Sequence, residues 1–185
     1  MLMTAAEYRE SLRRLKPRVF VDGRAVASVA DDPALQPGVN AVGLTYDFAL
    51  RDDTAGLMRV GATDGDGHNR MLHVPRSEDE LLQKLEAVRL ICRYTGCAQR
   101  YLAGDAMAGI LQGAAAIDSD HGTGYLARAR AYHEHLCRED LAVGIAMTDA
   151  KGDRSRRPHA QANPDTYVHI VERRVDGIVI SGTKA

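Results

Sequence analysis

No apolar run in this chain of 185 residues approaches the roughly 20 that a bilayer-spanning helix needs; the longest, residues 141–147 and 177–180, are far shorter. A membrane span is excluded on that ground. An excess of one charge is also missing, since 24 Lys+Arg meet 25 Asp+Glu for a net charge of -1, so the chain carries no basic field to hold nucleic acid. With only 6 prolines and 17 glycines beside 45% hydrophobic and 26% charged residues, collagenous and low-complexity classes fall away and a globular protein remains. The three cysteines, Cys92, Cys97 and Cys137, are odd in number and lack C-x-x-C spacing, which excludes a disulfide framework and a zinc ribbon and leaves reduced thiols. The opening MLMTAAEYRE puts charges where a secretory signal has its apolar centre, and a cytoplasmic location is expected.

What is present is a helical half followed by a strand-like tail. Thr4 and Glu7 form a T-x-x-E capping box ahead of Tyr8, Leu12 and Leu15, which predicts a helix over 5–15. A short extended run follows at 18–22, then turns at Asp31-Asp32-Pro33 and Pro37-Gly38, then a helix over 39–50. Ser77 and Glu80 repeat the capping pattern, and Leu81, Leu85, Val88 and Cys92 recur on one face of the clearest helix in the chain. Residues 97–117 predict a helix whose small residues suit close packing against a neighbour, and 125–138 a polar helix. From Leu141 the pattern turns to sheet: a short apolar strand at 142–147, an alternating strand at 167–174, and its hairpin partner at 178–181 after the Val175-Asp176-Gly177 turn. Three strands cannot close a barrel, and the apolar edge at Ile178, Val179 and Ile180 calls for a cover. The fold class expected is α+β, with a helical domain over 1–140 and an incomplete sheet domain over 141–185.

Several groups could carry chemistry. Asp64-Gly65-Asp66-Gly67 looks like a calcium loop but lacks the closing acidic residue, and a surface turn is the better reading. In His133-Glu134-His135 with Cys137, only His133 and Cys137 share a helical face, so a solvated polar helix is preferred to a metal site. Residues 147–158, MTDAKGDRSRRP, gather Lys151, Arg154, Arg156 and Arg157 around Gly152; such a loop can hold a phosphate or diphosphate, and an exposed charged loop has the same composition. Cys97 and Tyr101, four apart, would stack on a helix, although a thiol there also serves as a small buried residue.

The opening MLMTAAEYRESLRRL, Asn69-Arg70, the Cys97 to Tyr101 segment, Met147 to Arg154 and the tail from Asp176 to Ala185 together resemble the flavoprotein family of the 4-hydroxyphenylacetate 3-monooxygenase oxygenase component and 4-hydroxybutyryl-CoA dehydratase. The likeness runs the whole length and looks closer to the dehydratase branch, which carries MTDPKGDR where this chain has Ala150 in place of proline. The resemblance implies an acyl-CoA dehydrogenase-like helical domain, then a β-barrel domain begun here and left incomplete, and FAD as cofactor. It makes Met147, Thr148, Asp149, Lys151, Gly152, Asp153 and Arg154 the flavin contacts.

Two departures steer the expected function. Dehydratases of this type hold a [4Fe-4S] cluster partly through a C-x-x-x-C pair, and this chain has Cys97 and then Tyr101, one thiolate short. The monooxygenase branch places a His where this chain has Ile145. The expectation is the N-terminal segment of a two-component flavin monooxygenase acting on an aromatic or acyl substrate, with a flavin reductase as partner. Arg100 would be an anion partner for the substrate and Tyr101 a hydrogen-bond donor to it. A homo-oligomer or a complementing C-terminal chain would complete the site. A dehydratase-like enzyme and a truncated, non-catalytic member of the family are the alternatives.

Overall fold

The computed structural model describes residues 1–61, 67–97 and 99–184, residue 99 by its backbone alone; Asp64-Gly65-Asp66 of the acidic turn lie outside them. The chain divides into two compact units, Met1–Val143 and Gly144–Ala185.

In the first unit, α1 (Ala5–Arg14) starts on the reciprocal capping box of Thr4 and Glu7. The hairpin β1 (Phe20–Val21) and β2 (Arg24–Ala25) turns through Asp22 and Gly23, both at positive φ. Helix α2 (Gln36–Asp47) packs on α1 through Tyr8, Val39 and Tyr46, with the two tyrosine rings stacked at 4.9 Å. The short α3 (Ala55–Met58) leads into a second hairpin, β3 (Arg59–Val60) and β4 (His68–Asn69). Asn69 and Arg70, two residues of the resemblance, are buried and spent on main chain. Asn69 donates to the Thr45 carbonyl at 2.8 Å, and Arg70 donates to the carbonyls of Leu57 and Arg59. They staple β4 to its neighbours, because a buried donor without a partner costs about 1–3 kcal/mol.

Helix α4 (Glu78–Thr95) begins on Ser77, whose hydroxyl accepts from the Glu80 amide, and ends on Gly96 at φ 70°. The Glu80 carboxylate accepts from the Arg76 amide instead of closing the box on Ser77. A 3₁₀ turn at Gln99–Tyr101 opens into α5 (Leu102–His121), and Gly122 at φ 63° ends it. The predicted continuous helix from Cys97 therefore starts later, with Cys97 exposed ahead of the turn. Helix α6 (Tyr125–Arg138) packs back on α5, and the Asp118 carboxylate of α5 caps it by accepting from the amides of Tyr125 and Leu126. The close packing expected along α5 occurs at Ala103, Gly104, Met107 and Ala114. Gly109 and Gly113 face open space, and Leu102, Ile110 and Ile117 are exposed. The central core joins Phe48, Met58, Met71, Ala87 and Ile91.

Among its described residues the second unit has one hairpin, β5 (His169–Arg173) with β6 (Ile178–Ser181), antiparallel as expected. The strand expected over 142–147 does not form: this stretch is irregular. Within the first unit, Val143 and the preceding Leu141 pack against Leu72, Ala103, Met107 and Leu136 instead. The chain is thus helix-rich α+β with short strands, and among the described residues no helix is long and apolar enough to cross a membrane.

Candidate functional site

Two groups of sequence-marked residues have defined surroundings, one in each unit. In the first, Arg100 is 2% exposed and lies inside the protein, not on its surface. Its Nη2 donates to the Asp140 carboxylate at 2.5 Å and to the carbonyls of Asp140 and Leu141, and its guanidinium lies 3.9 Å above the Tyr46 ring. The anion that Arg100 meets is therefore internal. Asp140 sits at φ 50°, just past the end of α6, and its other oxygen accepts from the Met3 amide at 3.0 Å. One ion pair thus binds the 3₁₀ turn, the end of α6 and the N-terminal arm. Arg100 Nε and Nη1 have no partner among the described residues.

Tyr101, next in the chain, is half-buried against the central core. Hydrogen bonding to the Asp105 carboxylate, with burial behind it, holds its phenol above the usual pKa, so the hydroxyl keeps its proton. Below the ring lies the fully buried Lys84, with Nζ 5.4 Å from the ring centroid, 2.7 Å from the His73 carbonyl and 3.8 Å from Asp105. Burial lowers the Lys84 pKa, against the pull of Asp105. Gly104 makes the room: a Cβ there would stand 2.5 Å from both Lys84 Nζ and the Met71 carbonyl oxygen. Sequence reading missed Lys84, Asp105 and Asp140. Only the i, i+4 spacing of Tyr101 and Asp105 could have signalled one of them. Cys97 and Tyr101 do not stack, because the helix begins after Cys97.

In the second unit, the stretch from Met147 to Arg154 is exposed apart from the half-buried Ala150. Lys151, Gly152 and Asp153 line a recess of about 430 Å³, shared with Arg156, Gln161 and Tyr167. Met147, Thr148, Asp149 and Arg154 lie on the same segment outside that lining. Asp149 bridges to Lys184, whose Nζ is 2.5 Å from its carboxylate. Asp153 shapes the turn by accepting from the Ser155 amide and hydroxyl. Gln161, another residue the sequence reading passed over, organises the loop: its amide oxygen accepts from the Asp153 N–H and its amide nitrogen donates to the carbonyls of Asp153 and Arg156. A Cβ at residue 152 would fall 2.6 Å from Gln161 Oε1 and 2.9 Å from the Tyr167 hydroxyl, so a side chain there would displace the Gln161 amide that organises the loop. The amides of Lys151, Gly152 and Arg154 donate to nothing among the described residues.

These features define a helix-rich protein whose second unit carries an exposed, cation-bearing loop. The chain belongs to the family described as 4-hydroxyphenylacetate 3-hydroxylase N terminal, which matches residues 4–185. It is 39% identical to the 4-hydroxybutyryl-CoA dehydratase/vinylacetyl-CoA-Delta-isomerase of Clostridium aminobutyricum, across 100% of this chain and 38% of that protein. With the 4-hydroxyphenylacetate 3-monooxygenase oxygenase component of a Geobacillus strain the identity is 28%, across 98% of this chain and 37% of that one. Among solved structures, an oxygen-tolerant archaeal 4-hydroxybutyryl-CoA dehydratase from N. maritimus superposes with a TM-score of 0.89 at 35% identity, covering 100% of this chain and 37% of that one. An oxygenase component of 4-hydroxyphenylacetate 3-monooxygenase, complexed with FAD and 4-hydroxyphenylacetate, shares the fold at a TM-score of 0.80 and 24% identity, across 98% of this chain and 38% of that one. The chain spans less than two fifths of the length of each of these relatives.

Proposed function

We propose that this chain is the N-terminal part of an FAD-dependent oxidoreductase, an oxygenase component that receives reduced flavin from a separate reductase and acts on an aromatic or acyl substrate. The observation that carries this reading is the loop at 147–154. It offers backbone N–H groups unpaired among the described residues and the cations Lys151 and Arg154 beside a recess of about 430 Å³. Charge-assisted hydrogen bonds from such groups are the usual grip on that anion. In this proposal Lys151 and Arg154 hold the diphosphate and Gly152 keeps the loop open to it. Met147 and Thr148 contact the remainder of the cofactor, while Asp149 and Asp153 fix the loop through Lys184 and Ser155. The hairpin of β5 and β6 is the start of the β-barrel domain, and the helical unit corresponds to an acyl-CoA dehydrogenase-like domain. The bound flavin would supply the electrons for attack on oxygen.

The chain's own contribution on the substrate side is Tyr101. Its hydroxyl keeps its proton and, in this proposal, turns that single hydrogen from Asp105 to the substrate or to an oxygen held near it. Arg100 acts as a positioning residue, since its bond to Asp140 fixes the turn that presents Tyr101. A dehydratase-like enzyme is the second reading, favoured by the 39% identity to the clostridial dehydratase. The phenol of Tyr101 opposes it, because the cluster-binding pattern needs a thiolate at that position.

Iron and acid-labile sulfide, measured without air on this chain together with the C-terminal part that would complete the site, separate the two readings. The monooxygenase reading expects trace amounts of both, together with flavin-dependent oxygen consumption when a reductase is supplied. A cluster in stoichiometric amount would establish the dehydratase reading.

A further inference from the structure

We propose that a cavity in the first unit, separate from the residues assigned to flavin and substrate, binds a small hydroxylated organic anion through two imidazole acceptors and two guanidinium groups. The cavity, open to solvent on one side, measures about 1040 Å³, just above the roughly 300–1,000 Å³ typical of small-molecule sites. Its apolar wall comes from Val74, Leu111 and Leu126, and His68, His73 and His133 line it as well.

The protein's own hydrogen bonds fix which nitrogen of each ring carries the proton. His133 Nε2 stands 2.9 Å from the Leu72 carbonyl oxygen. A carbonyl only accepts, so Nε2 carries a hydrogen, and the tautomer this selects has its lone pair at Nδ1. His73 Nε2 stands 3.1 Å from the Glu80 carboxylate, which likewise demands a donor. His73 Nδ1 is then an acceptor, and its neighbour at 3.1 Å, His68 Nε2, must carry a hydrogen. The relay Glu80–His73–His68 thus ends in a bare lone pair at His68 Nδ1. Burial supports the neutral form of this ring, pushing the His68 pKa down to about 4, with the neighbouring His73 and His133 adding to the effect.

Neither free Nδ1 has a partner among the described residues, and neither is sealed among the buried unpaired atoms. Two acceptors on one cavity call for a ligand with hydroxyl hydrogens to give. The rim supplies the opposite demand. Arg76 and Arg130 line the cavity and are exposed, with no carboxylate partner among the described residues, whereas Arg138 is engaged by Glu139. The other titratable groups of the lining weigh less. Burial raises the Cys137 thiol to about 11, so it is neutral, and the Met1 ammonium is spent on the Arg138 carbonyl; among the described residues Glu134 is the one acid of the lining. Among the described residues no three metal-ligating side chains converge, so the imidazole pair is read as hydrogen-bonding.

The test is histidine side-chain ¹⁵N NMR on the full chain, titrated in separate arms with glycerol 3-phosphate and with malate. The free protein is expected to show the Nε2–H tautomer at His68 and His133. At least one probe should shift both Nδ1 resonances to saturation, and the Arg76→Gln/Arg130→Gln variant should bind that probe about tenfold or more weakly. Both arginines are exposed, so the variant should keep the melting temperature of the parent. Saturation by glycerol 3-phosphate alone assigns a phosphate ester, and by malate alone a hydroxy acid. Either ring in the Nδ1–H tautomer, no saturable shift with either probe, or undiminished binding by the double variant would overturn the proposal.

Discussion

Asp140→Ala is expected to destabilise the protein by about 3–5 kcal/mol, measured as the shift in urea unfolding, because it strands the buried Arg100 cation. The guanidinium is 2% exposed and its one charged partner among the described residues is Asp140, itself fully buried. The same change takes the acceptor away from the Met3 amide and places alanine at φ 50°, a conformation that aspartate and asparagine tolerate better. Asp140→Asn separates these effects. It keeps a side-chain acceptor and the tolerant backbone but loses the charge, so its cost should fall clearly below that of alanine. Replacing both partners, as in Arg100→Met/Asp140→Leu, should cost less than Asp140→Ala alone, since a buried pair exchanged for apolar groups forfeits little. Equal stability of Asp140→Ala and the parent would mean that the pair does not hold the turn.

Gly104→Ala is the second substitution expected to do severe damage, about 3 kcal/mol or more on the same assay. The added methyl would meet Lys84 Nζ and the Met71 carbonyl oxygen at 2.5 Å. The carbonyl belongs to buried main chain, and the ammonium can retreat only by giving up its bond to the His73 carbonyl. Overpacking costs about 1–3 kcal/mol and loss of a hydrogen bond from a charged group about 1.5–3. Gly109→Ala, five residues along the same helix, is the control. Nothing lies within 4 Å of its added methyl, so helix propensity alone should stabilise the protein by about 0.5–1 kcal/mol. A similar response at the two positions would remove the close approach as the reason for Gly104.

What could be read from the sequence was local. Thr4 and Glu7 announced the first helix through a bond spanning three residues, and Val175-Asp176-Gly177 announced the hairpin that follows. Resemblance over the whole chain brought out the family and the helix-rich fold. The strand expected at residues 142–147 failed because an apolar run reads alike as a strand or as a segment packed on helices, and Leu141 and Val143 took the second course. The burial of Arg100 was illegible for another reason: its partner lies 40 residues away, and no spacing rule reaches that far. The His68–His73–Glu80 relay was closer in sequence yet equally hidden, since its members belong to a strand, a loop and a helix. In the loop at 147–154 the cations could be seen and Gln161 could not. A glutamine eight residues beyond Asp153 carries no signature of the three hydrogen bonds it makes there.

The central claim is that the loop at 147–154 grips a flavin diphosphate, and the ³¹P resonances of FAD report on that contact directly. Added to the chain, FAD should show both phosphorus signals shifted and broadened to saturation, and the Lys151→Ala/Arg154→Ala variant should largely restore the free spectrum while its own unfolding curve stays unchanged. Phosphorus signals that remain those of free FAD, or that respond equally to parent and variant, would contradict the account.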